Sequence, residues 1–288
     1  MSAFIRNVGK SFKAESVSLK TRFGRRTVGG KHFRNIGPLR GVSAATGFTC
    51  DSADFDGTND YMLRGGGLTG AVDGSQGIFS CWFRIDGTDA ATKYIFGNTN
   101  AAKTRVHLDT NNNIVVDVRD ATGALVFTAT TATAFSVGAT WHHIICSWDT
   151  NFIAGSKLMK MVVDGATESP SISDVAVAFN VDYTVTEWNI GARSDGVALY
   201  DGCLAELYFN SVTYLDVTQA ANLAKWRTVG GKPEDLGVDG STPTGTAPIV
   251  YQRIADGAAA SSFATNLGSG GNFSITGTLD TGSSSPSD

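Results

Sequence analysis

The feature that constrains the fold most is an alternating run from Trp141 to Asp149. Successive residues of an extended chain point to opposite faces. One face carries Ile144, Cys146 and Trp148, and the other carries His143, Ile145 and Ser147. Because both faces are largely apolar, the run predicts a strand that is covered on both sides. A second run, Met161 to Val163, is followed by Asp164-Gly165, a pair that predicts a tight hairpin turn. We expect these two runs to form strands in the middle of a sheet.

Further short alternating runs predict a protein built almost entirely of strands. They cover residues 78–86, 94–97, 105–108, 114–118, 125–129, 184–191 and 203–209. Glycine is abundant, at 34 residues, and charged residues make up only 17% of the chain, which is typical of a turn-rich β protein. The regular spacing predicts an all-β, two-sheet antiparallel sandwich of the jelly-roll kind.

We expect neither a membrane-spanning segment nor a leader for export. No apolar run approaches the roughly 18 residues that a transmembrane helix needs. No signal-peptide core opens the chain. We therefore expect a soluble protein that does not use the general export route.

The four cysteines are expected to be free thiols in the core. They are Cys50, Cys81, Cys146 and Cys203, and three of them sit inside apolar alternation. No CxxC spacing occurs, which argues against a zinc site. An even count also permits two disulfides, but buried cysteines commonly behave as small hydrophobic residues.

Positive charge is concentrated at the N-terminus. Residues 1–48 hold ten Lys and Arg against one acid, a balance of 10 − 1 = +9, and the remaining residues hold 13 basic and 26 acidic ones, a balance of −13. Aromatic residues are spaced through the same segment. We predict that residues 1–45 form an extended arm that anchors the protein to a larger assembly. The anchoring residues are Phe4, Arg6, Phe12, Arg22, Phe23, Arg25, Arg26, Phe33 and Arg34.

A solvated basic tail and an organelle transit peptide are alternative interpretations of the arm. Binding of nucleic acid is disfavoured, because no recognition motif accompanies the charge.

An ordered set of motifs between Gly47 and Val212 carries a family resemblance. The motifs are Phe55-Asp56-Gly57-x-Asn59-Asp60-Tyr61, Phe79-x-x-Trp82-Phe83, Trp141-His142-His143-Ile144 with Ser147-Trp148-Asp149, Val163-Asp164-Gly165, Ile190-Gly191-Ala192-Arg193, and Tyr200-Asp201-Gly202-x-x-Ala205-Glu206-Leu207-Tyr208-Phe209. In this order they resemble the concanavalin A-like, laminin-G-like jelly-roll superfamily. The resemblance implies two stacked antiparallel sheets and a carbohydrate or protein ligand.

The resemblance also implies that calcium could bind at one rim of the sandwich, through the oxygen donors that this ion prefers. The candidate residues for a calcium or ligand rim are Asp54, Asp56, Asn59, Asp60, Asp195, Tyr200 and Asp201. Tyr200 is included as an aromatic residue that could stack on a sugar. Ordinary turns use the same Asp, Asn and Gly residues, so no cofactor is required.

The C-terminal part resembles the extension of laminin-G-like proteins from tailed bacteriophages. The resemblance rests on Asn222-Leu223-Ala224-Lys225-Trp226, on the run from Gly231 to Pro248, and on Asn266 to Gly277. It implies a virion structural protein that is assembled in the host cytoplasm. Its expected partners are other virion proteins of the capsid or tail, copies of itself, and a glycan on the host surface.

The extension is expected to begin with a helix and to end in edge strands. Asp216 would cap the helix, Gly230-Gly231 would end it, and a side with Val217, Ala220, Leu223, Ala224 and Trp226 would lie on the sandwich. Residues 247–279 would fill an edge position, as in a circular permutation. The predicted domains are the arm at 1–45, the sandwich at 46–215 and the extension at 216–288.

No catalytic group is selected by the sequence. Glycoside hydrolysis needs two carboxylates, and the Glu-x-Asp-x-x-Glu pattern of the related glucanases is missing among the five glutamates. Glu206 is interpreted as an edge or surface residue paired with a cation. His142 and His143 are expected to point to opposite faces of a strand, so they cannot bind one ion together. We expect one of them at the surface and the other packed on Trp141 or Trp148.

The expected function is therefore a non-enzymatic virion protein (decoration, fibre or tail-associated) that displays a lectin-like sandwich. A polysaccharide-cleaving enzyme of the same fold and a stand-alone carbohydrate-binding protein are the alternatives.

Overall fold

The computed structural model describes residues 47–88, 90–98, 103–151, 158–174, 180–193 and 196–288. The chain divides into two units, Met1–Ala44 and Ala45–Asp288, and every described residue belongs to the second. The predicted anchoring arm lies outside the described residues. None of the described helices is both long enough and apolar enough to cross a membrane.

Strands account for most of the regular structure. In chain order they are β1 Cys50–Asp51, β2 Ala53–Asp56, β3 Tyr61–Arg64, β4 Gln76–Ile85, β5 Lys93–Asn98, β6 Thr104–Leu108, β7 Asn113–Arg119, β8 Leu125–Ala134, β9 His142–Asp149, β10 Leu158–Val163, β11 Ala166–Thr167, β12 Ser171–Asp174, β13 Trp188–Ile190, β14 Asp201–Asn210, β15 Val250–Gln252, β16 Ile254–Ala255, β17 Ser274–Thr276 and β18 Asp280–Thr281. A short helix, α1, spans Ala220–Leu223, and a 3-10 helix spans Ala260–Ala264.

Sheet I contains the two strands that the sequence predicted first. Its order is β11-β10-β9-β4-β14-β2-β18, and β15 also pairs with β14. The hairpin turn joins β10 to β11 at Asp164 and Gly165, whose φ angles of 50° and 85° are both positive. A two-residue turn of this kind matches the twist of the flanking strands. The predicted hairpin is confirmed.

Sheet II has the order β12-β8-β7-β6-β5-β13-β3-β17. All its pairs are antiparallel. The turn at residues 57–60 connects β2 of sheet I to β3 of sheet II, so it carries the chain from one sheet to the other. The strand predicted over 184–191 is shorter, because only Trp188–Ile190 pairs with neighbours.

The core lies between the two sheets and is dominated by aromatic rings. Phe79 of sheet I stacks on Phe96 of sheet II, with ring centroids 5.7 Å apart. Phe209 of sheet I lies 5.7 Å from Trp188 of sheet II. Large rings buried in offset or edge-on contact contribute more than their area alone. The predicted all-β sandwich is confirmed.

The extension covers the outer face of sheet I. There, Ile145 and Tyr208 of the sheet pack with Val217, Trp226 and Leu236 of the extension. The rings of Tyr208 and Trp226 meet edge to face at 4.6 Å. Residues 216–236 therefore bury an apolar face of the sandwich.

The end of the extension supplies edge strands to both sheets. β17 pairs with β3 at one end of sheet II, and β18 pairs with β2 at one end of sheet I. β16 pairs with β1 in a small separate sheet. Of residues 247–279, which are expected to fill an edge position, β17 does so in sheet II. β18, which follows them in the chain, covers the edge of sheet I.

The helix of the extension is shorter than predicted. Asp216 does accept hydrogen bonds from Thr218 and Gln219, but α1 spans only Ala220–Leu223. Ala220 and Ala224 are exposed. The predicted end at Gly230-Gly231 is therefore wrong. Of the predicted apolar side, Val217, Leu223 and Trp226 do pack against sheet I.

All four cysteines are free and buried. Cys50 joins the three that the alternation placed in the core, at 2% exposure. The prediction of core thiols is confirmed.

Candidate functional site

Strand pairing brings part of the predicted rim together on the outer face of sheet I. Asp201 lies opposite Asp56, and Cys203 lies opposite Asp54. Burial and the nearby Asp86 raise the pKa of Asp54. Burial also raises the pKa of Asp201. The result is a compact group of acids.

Two residues of the predicted rim have structural roles instead. Tyr200 is fully buried, and its hydroxyl donates a 2.8 Å hydrogen bond to the carbonyl of Arg84. It cannot stack on a sugar, and the expectation that it is exposed is wrong. Asp60 is 3% exposed and accepts hydrogen bonds from the backbone of Thr278 and Asp56.

The remaining rim residues do not extend the group. Asp56 accepts hydrogen bonds from the backbone of Thr58, Asn59 and Asp60, and these bonds lower its pKa. Asn59 is exposed in the same turn. Asp195 lies outside the described residues. These carboxylate and amide groups shape the turn that leads from β2 to β3.

The acids of this face do not fit calcium. Asp54, Asp86 and Cys203 offer ligand atoms within 4.8 Å of one another. Both carboxylate oxygens of Asp86 already accept hydrogen bonds from Arg84, at 2.8 and 2.5 Å. A guanidinium in this position opposes a second cation, and a thiol is a poor ligand for calcium.

A second group of polar residues crosses the outer face of sheet II. The register forms one row, in which Ser173 lies beside Thr128, Thr128 beside Asp117, Asp117 beside Arg105, Arg105 beside Gly97 and Gly97 beside Asn189. Alternation explains the row, since the residues between them, such as Val106 and Val116, face the core.

Asp117 is the anionic centre of this row. Its Oδ2 accepts a hydrogen bond from Arg105, and Nη2 of Arg119 lies 3.4 Å away. The side chains of Asp117, Arg105 and Arg119 are 5%, 20% and 29% exposed. Two cations therefore share one carboxylate, and the group keeps a net positive charge.

Gly97 lies in the middle of the row and is buried. Its φ of 152° and its backbone contact with Thr104 leave no room for a Cβ, which would lie 2.3 Å from the Thr104 carbonyl. The flat backbone at this position separates the arginines from Asn189.

An aromatic pair borders the row. The rings of Tyr94 and His107 stack with centroids 4.9 Å apart. Burial, together with the charge of Arg105, lowers the pKa of His107 to about 4. The imidazole is therefore neutral near pH 7 and can offer one donor and one acceptor.

Several buried polar atoms of this group have no hydrogen-bond partner within the described structure. They are Nε of Arg105, Nδ1 of His107, Oδ1 of Asp117 and Nε of Arg119. Buried polar atoms are normally paired. We name the group of Tyr94, Gly97, Arg105, His107, Asp117 and Arg119 the sheet II polar face.

Sequence reasoning placed the strands of the sheet II polar face but missed the site. The signal was present, since Arg105 and His107 alternate with apolar residues, as do Asp117 and Arg119. Asp117 is the only carboxyl at an outward position of the described strands β5, β6, β7 and β8.

Glu206 is buried, not at the surface as predicted. It occupies a β-bulge of β14 with φ 47° and is 3% exposed. Its expected cation is present, because Nε of Arg253 lies 3.8 Å away. Burial raises its pKa to about 7. The extension closes over this carboxyl and keeps it from any substrate.

The two histidines point to opposite faces, as predicted. His143 is buried, and its ring stacks on Trp82 at 4.6 Å rather than on Trp141 or Trp148. His142 is bound to Asp164, with 2.7 Å between Nδ1 and Oδ2.

Comparison with known proteins gives a family match. A model described as the concanavalin A-like lectin/glucanases superfamily matches residues 56–213, more than half of the 288-residue chain. None of the curated proteins matches the chain.

Solved structures with the same fold include a Bacteroides ovatus protein that is thought to bind carbohydrate. The two share 12% identity and a TM-score of 0.55, over 82% of this chain. The chain spans 60% of the length of that protein. A heptameric pentraxin from Limulus polyphemus has a TM-score of 0.43 and 14% identity, over 61% of this chain and 82% of the pentraxin. Domains LG4-5 of the mouse laminin α1 chain have a TM-score of 0.39 and 17% identity, over 61% of this chain and 46% of the laminin domains.

Proposed function

The chain belongs to the concanavalin A-like lectin/glucanase superfamily, and we propose that it is a lectin-like protein that binds a glycan on the sheet II polar face without cleaving it. The observation that carries the proposal is the set of buried, unpartnered polar atoms on Arg105, His107, Asp117 and Arg119. Each such atom left without a partner costs about 1–3 kcal/mol, which a ligand that pairs with it recovers.

The chemistry of the face fits a sugar. The two Nε–H groups of the arginines can donate to hydroxyl oxygens, and Oδ1 of Asp117 can accept a hydroxyl hydrogen. Tyr94 with His107 forms an aromatic border. A few polar groups in fixed positions beside aromatic surface are typical of small-molecule sites.

The test is a glycan array with the full chain, followed by calorimetry on the strongest ligand. Arg119→Ala removes a charged donor at the margin of the face, and we expect about 10-fold weaker binding or more. Lys160→Ala, which removes a cation from a strand of sheet I, is the matched control and should bind as the parent does. An array without binders, or equal affinity of the two variants, would refute the proposal.

A glucanase with this fold is the competing function. It predicts turnover of a bound polysaccharide that stops when Asp117 is changed to Asn. Release of reducing ends by the parent protein, but not by Asp117→Asn, would therefore replace the binding proposal with catalysis.

We also propose that residues 1–45 anchor this module to a bacteriophage particle. The support is the sequence alone: the +9 balance of residues 1–48, with aromatic residues spaced along the same segment. Deletion of residues 1–45 should abolish incorporation into particles while glycan binding remains. Unchanged incorporation of the deleted form would reject the anchoring role.

A further inference from the structure

A pocket of about 600 Å³ lies on the other side of the molecule, at sheet I. It opens between the hairpin turn at Asp164-Gly165 and the segment 220–231 of the extension. Its volume falls within the range of roughly 300–1,000 Å³ that small-molecule sites occupy. Its lining includes the apolar residues Ala166, Ala220, Leu223 and Ala224 and the polar residues Asp164, Arg227 and Thr228.

Arg227 is held firmly in this pocket. Its guanidinium lies 4.8 Å from the centroid of the Trp82 ring, and Trp82 in turn stacks on His143. A Cβ added to Gly231 would come within 2.8 Å of Nη2 of Arg227, so the backbone of the extension also confines the group. The guanidinium is therefore preorganised and has little freedom to lose on binding.

Arg227 has one counter-ion among the described residues, Asp164, whose Oδ1 lies 3.9 Å from Nη1. Its side chain is 16% exposed, and Nη1 is buried without a hydrogen-bond partner among the described residues. Burial lowers its pKa, against the attraction of Asp164. A buried cation of this kind is stable only when an anion or several acceptors meet it.

Asp164, the nearest acid, is already engaged. Its Oδ1 accepts a 2.8 Å hydrogen bond from the backbone of His143, and its Oδ2 is joined to His142. Burial alone would raise the pKa of Asp164, but these hydrogen bonds bring it below its ordinary value. Nη1 of Arg227 lies 3.9 Å from Oδ1, beyond hydrogen-bond reach. Nη1 of Arg227 therefore has no hydrogen-bond acceptor in the part of the chain that the structure describes.

We propose that this pocket binds an acidic sugar, with the sugar carboxylate on Arg227. The planar guanidinium fork matches a carboxylate better than a neutral hydroxyl group. Thr228 also lines the pocket and can pair with a ring hydroxyl, and the side chain of Leu223 offers aliphatic surface to the apolar face of a sugar ring. The site is separate from the sheet II polar face and does not depend on it.

Titration of the full chain with glucuronate, followed by NMR or calorimetry, tests the assignment. Glucuronate should bind saturably, and glucose at the same concentrations should not. Absence of glucuronate binding at millimolar concentration would overturn the proposal. Binding of glucose 6-sulfate as tight as that of glucuronate would overturn the assignment to a carboxylate.

Two alanines of one exposed segment provide matched variants. Ala224 lines the pocket, whereas Ala221 is equally exposed but lies outside its lining. Ala224→Glu places a negative charge at the carboxylate site and should weaken glucuronate binding about 10-fold or more, and Ala221→Glu should change it less than about 2-fold. Arg119→Ala on sheet II should leave glucuronate binding intact, so failure of the glycan proposal would not affect this one. Equal binding by the two glutamate variants would place glucuronate elsewhere and reject the pocket.

Discussion

The hydroxyl of Tyr251 donates a 2.6 Å hydrogen bond to Oε2 of Glu206 and so ties the C-terminal extension to a buried carboxyl of sheet I. Arg253 of the same extension lies 3.8 Å from the other carboxyl oxygen. Burial of Glu206 outweighs both contacts and raises its pKa from 4.5 to about 7. Ionisation of Glu206 therefore opposes closure of the extension over the sheet.

We predict that ionisation of Glu206 lowers the free energy of unfolding as the pH rises from about 4.5 to about 7. In that interval the folded state holds the Glu206 proton and the unfolded state has released it, so unfolding becomes easier with rising pH. The full effect is about 3 kcal/mol, and it levels off above pH 7. Denaturant unfolding at pH 5 and pH 8 measures it.

Glu206→Gln is the matched variant for this prediction. It keeps an oxygen that accepts from Tyr251 but cannot ionise, so it should be more stable than the parent at pH 8 and similar to it at pH 5. If the free energies of unfolding of parent and variant differed by the same amount at pH 5 and at pH 8, Glu206 would not titrate between these two pH values.

His143 should produce the opposite pH dependence. Burial lowers its pKa from 6.5 to about 3. Between these values the unfolded state binds a proton that the folded state does not, so stability is lost as the pH falls below 6.5. The loss amounts to about 3 kcal/mol at pH 4. His143→Gln should reduce the drop in unfolding free energy from pH 6.5 to pH 4, and a parallel drop in parent and variant would exclude His143 as its source.

Much of the sandwich can be predicted from the sequence because alternation reports directly on burial. The run around Cys146 and the turn at Asp164-Gly165 behave as local rules require. The site residues depend on register and on distant segments. The sequence places Glu206 at an edge or the surface, but a β-bulge moves it to the outer face of sheet I, where Tyr251 covers it. The sequence around Tyr200 is compatible with either a buried or an exposed ring, and the ring is buried. The pairing of Arg105 with Asp117 likewise exists only in the register of β6 and β7.

Removal of residues 248–288 should make the protein insoluble. The deletion takes away β15, β16, β17 and β18, and so leaves β2, β3 and β14 with unpaired edges. Exposed edges of this kind pair with other chains. The soluble fraction after expression and a thermal melt measure the effect, and supply of residues 248–288 as a separate peptide should restore solubility. A truncated protein that is soluble and melts normally would contradict the structural role of these strands.

The thiols should be unreactive until the protein unfolds. The four cysteines are at most 2% exposed, and burial raises the pKa of each, that of Cys203 to about 12. Reaction requires an accessible thiolate. A thiol reagent at pH 8 should therefore label none of them in the native protein and all four in guanidinium chloride. Rapid labelling of the native protein would place at least one thiol at the surface.

Glycan binding on the sheet II polar face should be independent of pH between about 5.5 and 8. The reason is His107, which has a pKa of about 4 and remains neutral throughout this range. Below pH 4 the ring gains a proton beside Arg105, and its Nδ1 and Nε2 both become donors, which changes the hydrogen bonds that a sugar can make there. Affinity should therefore be constant above pH 5.5 and fall as the pH approaches 4. Calorimetry across this range measures it, and an inflection near pH 6.5 would show that His107 is solvated and does not form part of the recessed face.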